Sequence, residues 1–331
     1  MSESLLSIND LKTYFFTAEG AVKAGDKVNL EINKKEVLGL VGESGCGKST
    51  VALSIMRLIR PPGKILGGEI WFEGEDLLRK SGEEMRKIRG GKISMIFQNP
   101  MSSMNPVYTV GSQIAEAIRL HQNVQKHEVE EKVVEILRKV GIPDPSKRMK
   151  DYPHEYSGGM CQRAMTAMAL SCNPKLLIAD EPTTNLDVTI QAQILELMKT
   201  LRKDFGASIL LIGHNLGVIS ELCDKVAVMY GGKLVEYSDL TTIFEKAKHP
   251  YTQALLESIP RLDVETERLR IIPGTVPRLI NPPPGCRFYP RCEYAKAICG
   301  KQEPQLTDIR KGHTVACFLY TSNRRTKSSD G

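Results

Sequence analysis

The segment GESGCGKST at residues 42–50 constrains the fold of this chain more than any other feature of its sequence. It contains the pattern G-x-x-x-x-G-K-S and stands between an apolar run, VLGLV, and a helix-favouring run, VALSIM. Glycines at such a turn let backbone N–H groups face inward, and the helix that follows presents its positive N-terminal end. A strand, a glycine loop and a helix in this order predict a loop that binds the phosphates of a nucleotide.

The residue types inside this phosphate loop indicate separate roles. Lys48 would reach the outer phosphates, and Ser49 would bind Mg²⁺. The structural alternative is a glycine turn with a stray lysine, which the flanking strand and helix disfavour. We therefore predict nucleotide contacts from Gly42, Ser44, Gly45, Cys46, Gly47, Lys48, Ser49 and Thr50.

A second acidic segment, KLLIADEP, supplies what the loop lacks for hydrolysis. Its four apolar residues place Asp180 at the carboxyl end of a buried strand, where it would hold Mg²⁺ through water. Glu181, the next residue, would polarise the attacking water. Acidic residues also end strands that bind no ligand, so this segment alone is weak evidence. Together with the phosphate loop it becomes strong evidence. The pair of motifs predicts an ATPase.

The segment YSGGMCQR at residues 156–163 predicts a second helix start that faces phosphate. One chain does not need two such helix ends around one γ-phosphate, whereas a head-to-tail dimer does. We expect Ser157, Gly158 and Gly159 of one subunit to close on the nucleotide held by the other. The structural alternative is a serine–glycine helix cap without a ligand.

The remaining sequence predicts an α/β fold. Two β-rich runs before the loop predict antiparallel strands, residues 99–165 predict a mostly helical insert, and alternating apolar strands and helices then predict a parallel sheet wrapped by helices. Beyond Arg261 the run IIPGTVPRLINPPPGC is too rich in proline for a helix or a central strand. We predict one domain over residues 1–260 and a small cysteine-rich extension over residues 261–331.

Composition narrows the class of protein. Hydrophobic residues make up 41% and charged residues 25% of the 331 residues, which argues against global disorder. The net charge of +6 suits a nucleotide or a membrane surface and makes no case for nucleic acid. No stretch reaches the ~18 apolar residues of a membrane span, and the start lacks a leader pattern. We expect a cytoplasmic chain that acts on membranes only through partners, with no structural disulfides.

In their order and spacing, these motifs resemble the ABC ATPase family over about residues 5–260. The resemblance implies a P-loop NTPase core with an antiparallel β subdomain and a helical subdomain. It implies that Gln98 senses Mg²⁺ and the attacking water, and that His214 contacts the γ-phosphate. It also implies that Asp187 contacts the partner subunit.

The same resemblance implies that Phe15 stacks on adenine, with Tyr14 and Phe16 as adjacent candidates. Several positions depart from the usual pattern of the family, and none of them removes a catalytic residue. These positions are Met160, Cys161, Asn185, Gly213 and Asn215. Catalytic competence is therefore expected.

Longer phrases, such as MIFQNPMSSMNPVYTV, HPYTQALLESIP and PPGCRFYPRC, are similar to the ATP-binding subunits of oligopeptide and dipeptide importers. This resemblance implies a heterodimer with a related ATPase subunit, or a homodimer when isolated. It also implies docking at the cytoplasmic face of the membrane on two permeases, which an external peptide-binding protein feeds. Met101–Tyr108 is the candidate contact with the permeases, and an ordinary loop is the alternative. Import of nickel or another small solute, and a soluble regulatory ABC ATPase, remain alternative functions.

Four cysteines in the extension, with the spacing C-x₅-C-x₆-C-x₁₇-C, predict a metal-bound staple for a segment with little core of its own. They are Cys286, Cys292, Cys299 and Cys317. The absence of paired C-x-x-C motifs disfavours an ordinary zinc ribbon. Some members of the importer family carry a 4Fe–4S cluster at such a tail, which the resemblance therefore implies here. Zinc, free or partly oxidised thiols and a contribution from His313 remain alternatives, as does a regulator in which this tail is the primary site.

Overall fold

A computed structural model describes residues 3–183, 188–258 and 272–321 of the chain. The strands within these residues are β1 (Ser4–Thr17), β2 (Gly20–Asn33), β3 (Val37–Val41), β4 (Gly63–Phe72), β5 (Glu75–Asp76), β6 (Ile93–Ile96), β7 (Leu176–Asp180), β8 (Ser208–Gly213), β9 (Lys225–Tyr230), β10 (Lys233–Asp239), β11 (Thr307–Arg310) and β12 (His313–Val315).

The helices in the same described ranges are α1 (Lys48–Ile55), α2 (Gly82–Ile88), α3 (Pro100–Ser103), α4 (Val110–His121), α5 (Glu128–Lys139), α6 (Pro145–Arg148), α7 (Gly158–Leu170), α8 (Val188–Phe205), α9 (Leu216–Leu222), α10 (Leu240–Lys246), α11 (Pro250–Glu257), α12 (Ala297–Lys301) and α13 (Phe318–Thr321). Single turns of 3₁₀ helix lie at Leu77–Arg79, Pro153–Glu155 and Tyr289–Arg291. None of the helices described here combines the length and apolarity that crossing a bilayer requires.

The chain divides into two compact units that alternate along the sequence. The first unit comprises Met1–Leu5, Ile32–Val37 and Asp76–Ile212. The second unit comprises Leu6–Glu31, Leu38–Glu75 and Gly213–Gly331. The phosphate loop therefore belongs to the second unit, and the acidic segment that ends β7 belongs to the first.

Parallel strands in the order β8-β7-β6 form the centre of the first unit. Every residue of β6 and β7 is buried, as expected for parallel strands covered on both faces, and all are apolar except Ser94 and Asp180. Ile93 pairs with Leu176, and Asp180 pairs with Ile212, so the strands run in register to a common carboxyl edge. That edge is where open parallel sheets place their functional side chains.

The segment predicted as a helical insert, residues 99–165, holds α3, α4, α5, α6 and the first part of α7. Helix α4 begins after Thr109, whose hydroxyl accepts the N–H of Ser112 and so satisfies one of the amides left over at a helix start. Apolar residues recur every three or four positions in α4 and α5 and are the buried ones. That this segment forms a separate helical subdomain stays a prediction.

The second unit holds an antiparallel sheet and a further set of strands. The sheet has the order β2-β1-β4-β5, and β1 pairs with β4 antiparallel from Leu6 opposite Phe72, both of which are buried. The further set has the order β11-β12-β10-β9-β3, in which β3 lies parallel to β9. Strand β3 is buried at all five positions and leads directly to the phosphate loop.

The C-terminal extension is built into these strands instead of forming a separate appendage. Strand β12 pairs antiparallel with β10, with Val315 opposite Glu236, and β11 pairs with β12. Phe288 and Val315 are buried. The predicted boundary between residues 260 and 261 lies outside the described residues, and the division at that point stays a prediction.

A buried charge cluster ties the extension to β2. The carboxylate of Asp26 accepts hydrogen bonds from the Tyr14 hydroxyl at 2.7 Å and from the guanidinium of Arg287, and lies 3.2 Å from Lys233 Nζ. Burial alone would raise the pKa of Asp26, but the hydrogen bond from Tyr14 and the two positive charges outweigh it and lower the pKa. Asp26 is thus held as a carboxylate.

We expect Asp26→Asn to lower the free energy of unfolding by about 3 kcal/mol, because it leaves a buried arginine without its counter-charge. Urea unfolding at pH 7 measures this. In wild type, the stabilisation from the Asp26 carboxylate is present above the ordinary Asp pKa of 3.8 and is lost as pH falls through the lowered pKa. The difference in unfolding free energy between the two proteins should therefore narrow in acid. The control is Asp10→Asn at the exposed pair with Lys12, where a change of about 1 kcal/mol or less is expected. Equal losses in the two variants would contradict this account of the cluster.

Candidate functional site

The phosphate loop turns on glycines that no other residue could replace. Gly42 and Gly47 have φ angles of 154° and 104°. A Cβ atom on Gly42 would lie 2.1 Å from the carbonyl oxygen of Met229, and one on Gly47 would lie 1.9 Å from that of Ala24. The loop therefore packs its backbone directly against neighbouring backbone. These contacts give the two glycines of the sequence pattern a steric reason.

The opposite side of the loop is open. Ser44 and Gly45 are exposed, and a Cβ atom on Gly45 would meet nothing within 4 Å. Helix α1 follows directly, so its positive N-terminal end lies behind the loop. Ser49 and Thr50 lie in its first turn and are half-buried. This arrangement fits an anionic ligand on the open side.

Lys48 is folded onto the start of the loop. Its ammonium donates to the carbonyl oxygen of Gly42 at 2.7 Å and to that of Glu43 at 3.1 Å, and its side chain is almost fully buried. The charge is thus held within the loop by backbone dipoles. That Lys48 contacts the outer phosphates of a nucleotide stays a prediction.

Residues far along the chain hold the loop from behind. The Tyr251 hydroxyl accepts the N–H of Glu43 at 2.9 Å, and the carbonyl of Cys46 accepts the N–H of Gly232 at 2.8 Å. The carboxylate of Glu43 is bound by Arg291. The sequence motifs gave no sign of these contacts, although Tyr251 lies in the HPYT run that carried the resemblance to peptide importers.

In the first unit, Asp180 ends β7 and is almost fully buried. Glu181 has a φ angle of 48°, a left-handed conformation that costs a residue with a side chain about 1–3 kcal/mol. Its N–H donates to the carbonyl of Ile212 at 2.9 Å, which fixes the turn. Strain of this kind recurs at functional sites, which makes Glu181 a candidate functional residue.

The structure brings Gln98 and Glu181 together. Gln98 follows β6, and its side-chain Nε2 donates to Oε2 of Glu181 at 2.8 Å. The bond fixes the direction of the carboxylate, which is what a group that polarises water requires. The sequence predicted both residues for the site. Their direct hydrogen bond was not predicted.

Ser157 is the N-cap of α7, and its hydroxyl accepts the N–H of Met160 at 3.3 Å. Gly158 is exposed and Gly159 is half-buried. In a single subunit the segment therefore forms the serine–glycine helix cap that the sequence allowed as an alternative. Its predicted contact with a nucleotide on another subunit stays a prediction.

His214 follows β8 and is exposed, and the next residue, Asn215, caps α9 by accepting the N–H of Gly217 at 2.9 Å. Asparagine is as good a helix cap as the aspartate usual in the family, so this departure costs nothing structurally. Phe15 is half-buried and packs against Gly63, whereas Phe16 is exposed. The predicted partner contact of Asp187, like Asn185, lies outside the described residues.

The four cysteines of the extension line one cavity of ≈ 20 Å³, beside His249 and Phe288. Burial, followed by the nearby thiols, raises the pKa of Cys286 to about 11, so this thiol is protonated at neutral pH. Among the described residues, no group of three or more His, Cys, Asp or Glu side chains is arranged to hold a metal ion. His313 donates to or accepts from Glu236 at 2.8 Å and is not among the residues that line the cavity.

Comparison with known protein families gives two matches. Residues 26–184 match the family described as ABC transporter. Residues 235–299 match the family described as the C-terminal region of oligopeptide/dipeptide transporters. The second match includes Tyr251 and Arg291, which hold the phosphate loop from behind.

The chain is also similar to curated proteins over nearly its whole length. It is 52% identical to the oligopeptide transport ATP-binding protein AppD of Bacillus subtilis, covering 96% of this chain and 97% of that protein. It is 50% identical to a probable peptide ABC transporter ATP-binding protein, y4tR, of Sinorhizobium fredii, covering 96% and 95%. A dimeric structure of the ATP-binding cassette MJ0796, bound to ADP and Pi, superposes with a TM-score of 0.65 at 24% identity, covering 71% of this chain and 99% of that one. This last similarity supports the fold.

Proposed function

Because the chain belongs to the ATP-binding proteins of oligopeptide and dipeptide ABC transporters, we propose that its ATPase cycle drives peptide uptake across the cytoplasmic membrane. The observation that carries the ATPase assignment is the Glu181 carboxylate, held by Gln98 at 2.8 Å at the end of a buried strand. The assignment of peptides as the substrate rests on the similarity to AppD and y4tR.

The residues divide the chemistry of the cycle between them. Lys48 and the amides of the phosphate loop would bind the outer phosphates, and Phe15 would stack on adenine. Glu181 would take the proton of the attacking water. His214 would contact the γ-phosphate.

Mg²⁺ fits the oxygen donors that these motifs supply. The hydroxyl of Ser49, the carboxylate of Asp180 and the side-chain oxygen of Gln98 are of the type that Mg²⁺ prefers. When bound, the cation would neutralise charge on the phosphates. Gln98 uses its nitrogen to reach Glu181, so its oxygen is the atom that a cation would take.

The active form would be a head-to-tail dimer. The cap of α7, formed by Ser157, Gly158 and Gly159, would close on the nucleotide of the other subunit, and Asp187 would lie at that interface. Support comes from the exposure of Ser157 and Gly158 at a helix start, where the dipole favours anionic groups. We propose a related ATPase subunit as the partner, which makes a heterodimer.

The segment Met101–Tyr108 is proposed to contact two permeases at the cytoplasmic face of the membrane. The side chains of Met101, Val107 and Tyr108 are 49%, 69% and 57% exposed, and exposed apolar side chains are candidates for contact with other proteins. The segment begins three residues after Gln98, which holds Glu181. A displacement of the segment would therefore move the residue that orients the catalytic carboxylate.

Uptake in reconstituted vesicles tests this function. The chain would be combined with its permeases, its partner ATPase and the external peptide-binding protein that delivers the substrate. ATP inside a vesicle whose permeases face correctly should drive accumulation of labelled di- or oligopeptides. A Val107→Asp, Tyr108→Asp variant should lose uptake while keeping ATP binding, because the charges disrupt an apolar contact. Accumulation of nickel but not of peptides would overturn the substrate assignment.

A 4Fe–4S cluster is proposed for the four cysteines of the extension, with zinc as the alternative. Support comes from the donor set, since four thiols around one cavity are the ligands that such clusters use. Bound metal would lower the pKa of the Cys286 thiol, which burial otherwise raises. The cavity has room for about one water, so its walls would have to open to admit the cluster. The cluster would then be a structural staple, because ATP hydrolysis needs no electron.

Metal analysis of protein purified without oxygen tests this proposal. We expect a brown protein with about four iron atoms per chain. Replacing Cys286 and Cys292 with serine should remove both colour and iron, whereas replacing Cys172, which lies outside the extension, should not. A colourless protein that contains zinc would contradict the cluster and support the alternative.

A further inference from the structure

An arginine of the C-terminal extension binds the start of the phosphate loop. Nη1 of Arg291 donates to Oε2 of Glu43 at 2.8 Å, and Nη2 donates to Oε1 at 3.1 Å, which makes a two-pronged bond between guanidinium and carboxylate. Glu43 is the second residue of the phosphate-loop motif. The two residues are 248 positions apart in sequence. We propose that Arg291 is a positioning residue for ATP binding, and that it acts by holding Glu43 in place.

The residues around Arg291 hold its side chain in one position. Its side chain is 5% exposed, and its three other donor contacts go to the Tyr230 hydroxyl and to the backbone carbonyls of Pro273 and Ile272. The five N–H groups of an arginine are thus matched by five acceptor contacts. Burial alone would lower the pKa of Arg291, but the bonds to Glu43 and Tyr230 outweigh it and raise the pKa. A buried cation satisfied in this way has little freedom to move.

Glu43 passes this constraint to the lysine that binds phosphate. Its carboxylate is held by Arg291, its N–H by the Tyr251 hydroxyl at 2.9 Å, and its carbonyl accepts from Lys48 Nζ at 3.1 Å. The backbone of Glu43 is therefore fixed on three sides. A change at Arg291 would release one of them and shift the carbonyl that anchors Lys48.

The surroundings of Tyr251 add rigidity to the same support. Its ring lies 4.5 Å from that of Tyr230 and 5.4 Å from that of Phe288, measured between centroids, and Tyr251 is fully buried. Aromatic pairs at such distances stabilise one another beyond the area they bury. Arg291 and Tyr251 thus hold Glu43 from one packed cluster, which includes residues from both sides of the segment 259–271.

A purely structural pair would make a different prediction. If the pair only fastened the extension to the rest of the second unit, breaking it would lower the melting temperature and leave ATP affinity unchanged in the folded protein. If Arg291 positions the loop, affinity falls even in a variant that keeps its stability. Arg291→Lys separates the two, because lysine keeps the charge but cannot form the two-pronged bond.

The experiment compares nucleotide affinity with stability in the full chain. Binding of a fluorescent ATP analogue and thermal melting would be measured for Arg291→Lys, Arg291→Ala, Glu43→Ala and the Glu43→Ala, Arg291→Ala double variant. We expect Arg291→Lys to weaken binding by about 10-fold when it is measured well below the melting temperature of the variant, where the protein is folded. The double variant should bind no more weakly than either alanine variant alone, because both remove the same constraint.

The control is Arg278→Ala, an arginine of the same extension whose exposed pair with Glu19 spans 4.0 Å and does not involve the loop. It should leave affinity unchanged. Wild-type affinity in folded Arg291→Lys and Arg291→Ala would overturn the inference, as would additive losses in the double variant. The inference goes beyond peptide transport and requires only that the wild-type chain binds ATP. A wild-type protein that binds no ATP analogue would instead refute the ATPase assignment itself.

Discussion

Replacing Glu181 with glutamine should slow ATP hydrolysis by about 100-fold or more while leaving ATP affinity within about twofold of wild type. Glutamine keeps the size of the side chain and its bonding capacity toward Gln98, but it cannot take a proton from water. Because the cycle would then stop after ATP binding, the ATP-bound dimer should accumulate. Steady-state phosphate release, nucleotide binding and light scattering with Mg-ATP measure the three effects.

The control for this variant is Glu196→Gln on α8, where the glutamate is exposed and its pair with Lys199 spans 3.8 Å. Its hydrolysis rate should match that of wild type. If Glu181→Gln hydrolysed ATP at the wild-type rate, another group would have to activate the water. If it lost ATP binding instead, the Glu181 carboxylate would be needed for binding or folding, which would contradict its assignment to the hydrolysis step alone.

Replacing Lys48 with alanine should weaken ATP binding by about 10- to 100-fold, because a hydrogen bond to a charged group contributes about 1.5–3 kcal/mol. The variant also loses the bonds from Lys48 to the carbonyls of Gly42 and Glu43, so the loop loses an internal brace. Binding of a fluorescent nucleotide, measured without magnesium and again with it, tests the loss directly.

The two variants are distinguished by what each one stops. Lys48→Ala should fail to form the ATP-bound dimer, whereas Glu181→Gln should form it and keep it. Lys12→Ala, at an exposed ion pair in β1, should bind ATP normally and serves as the control. Identical behaviour of the Lys48 and Glu181 variants, with no trapped dimer in either, would contradict the roles given to both residues.

The local parts of the site could be predicted from the sequence because they depend on neighbouring residues. The phosphate loop needs glycines where backbone approaches backbone, and a Cβ atom on Gly42 or Gly47 would lie about 2 Å from a carbonyl oxygen. The buried strand before Asp180 is a run of apolar residues, which sequence shows directly. The phosphate loop and the strand before Asp180 each depend on fewer than ten consecutive residues.

The supporting contacts could not be predicted because they join distant segments. Gln98 and Glu181 are 83 positions apart, and Glu43 and Arg291 are 248 apart. The periodicity of apolar residues does not show which polar side chains will form hydrogen bonds with distant segments. Strands β11 and β12 were missed for a related reason, since four and three residues are too short to show an alternating pattern. The sequence therefore predicts only an extension with little core of its own.

The bond between Arg291 and Glu43 has a consequence for hybrids made between relatives of this chain. A graft that exchanged only the region after residue 271 would bring in a foreign partner for Glu43, and the recipient would carry a mismatched ion pair at its phosphate loop. Residues 43 and 291 of such a chimera should therefore be taken from the same parent protein. Over evolutionary time, a charge lost at one of them should be followed by a compensating change at the other.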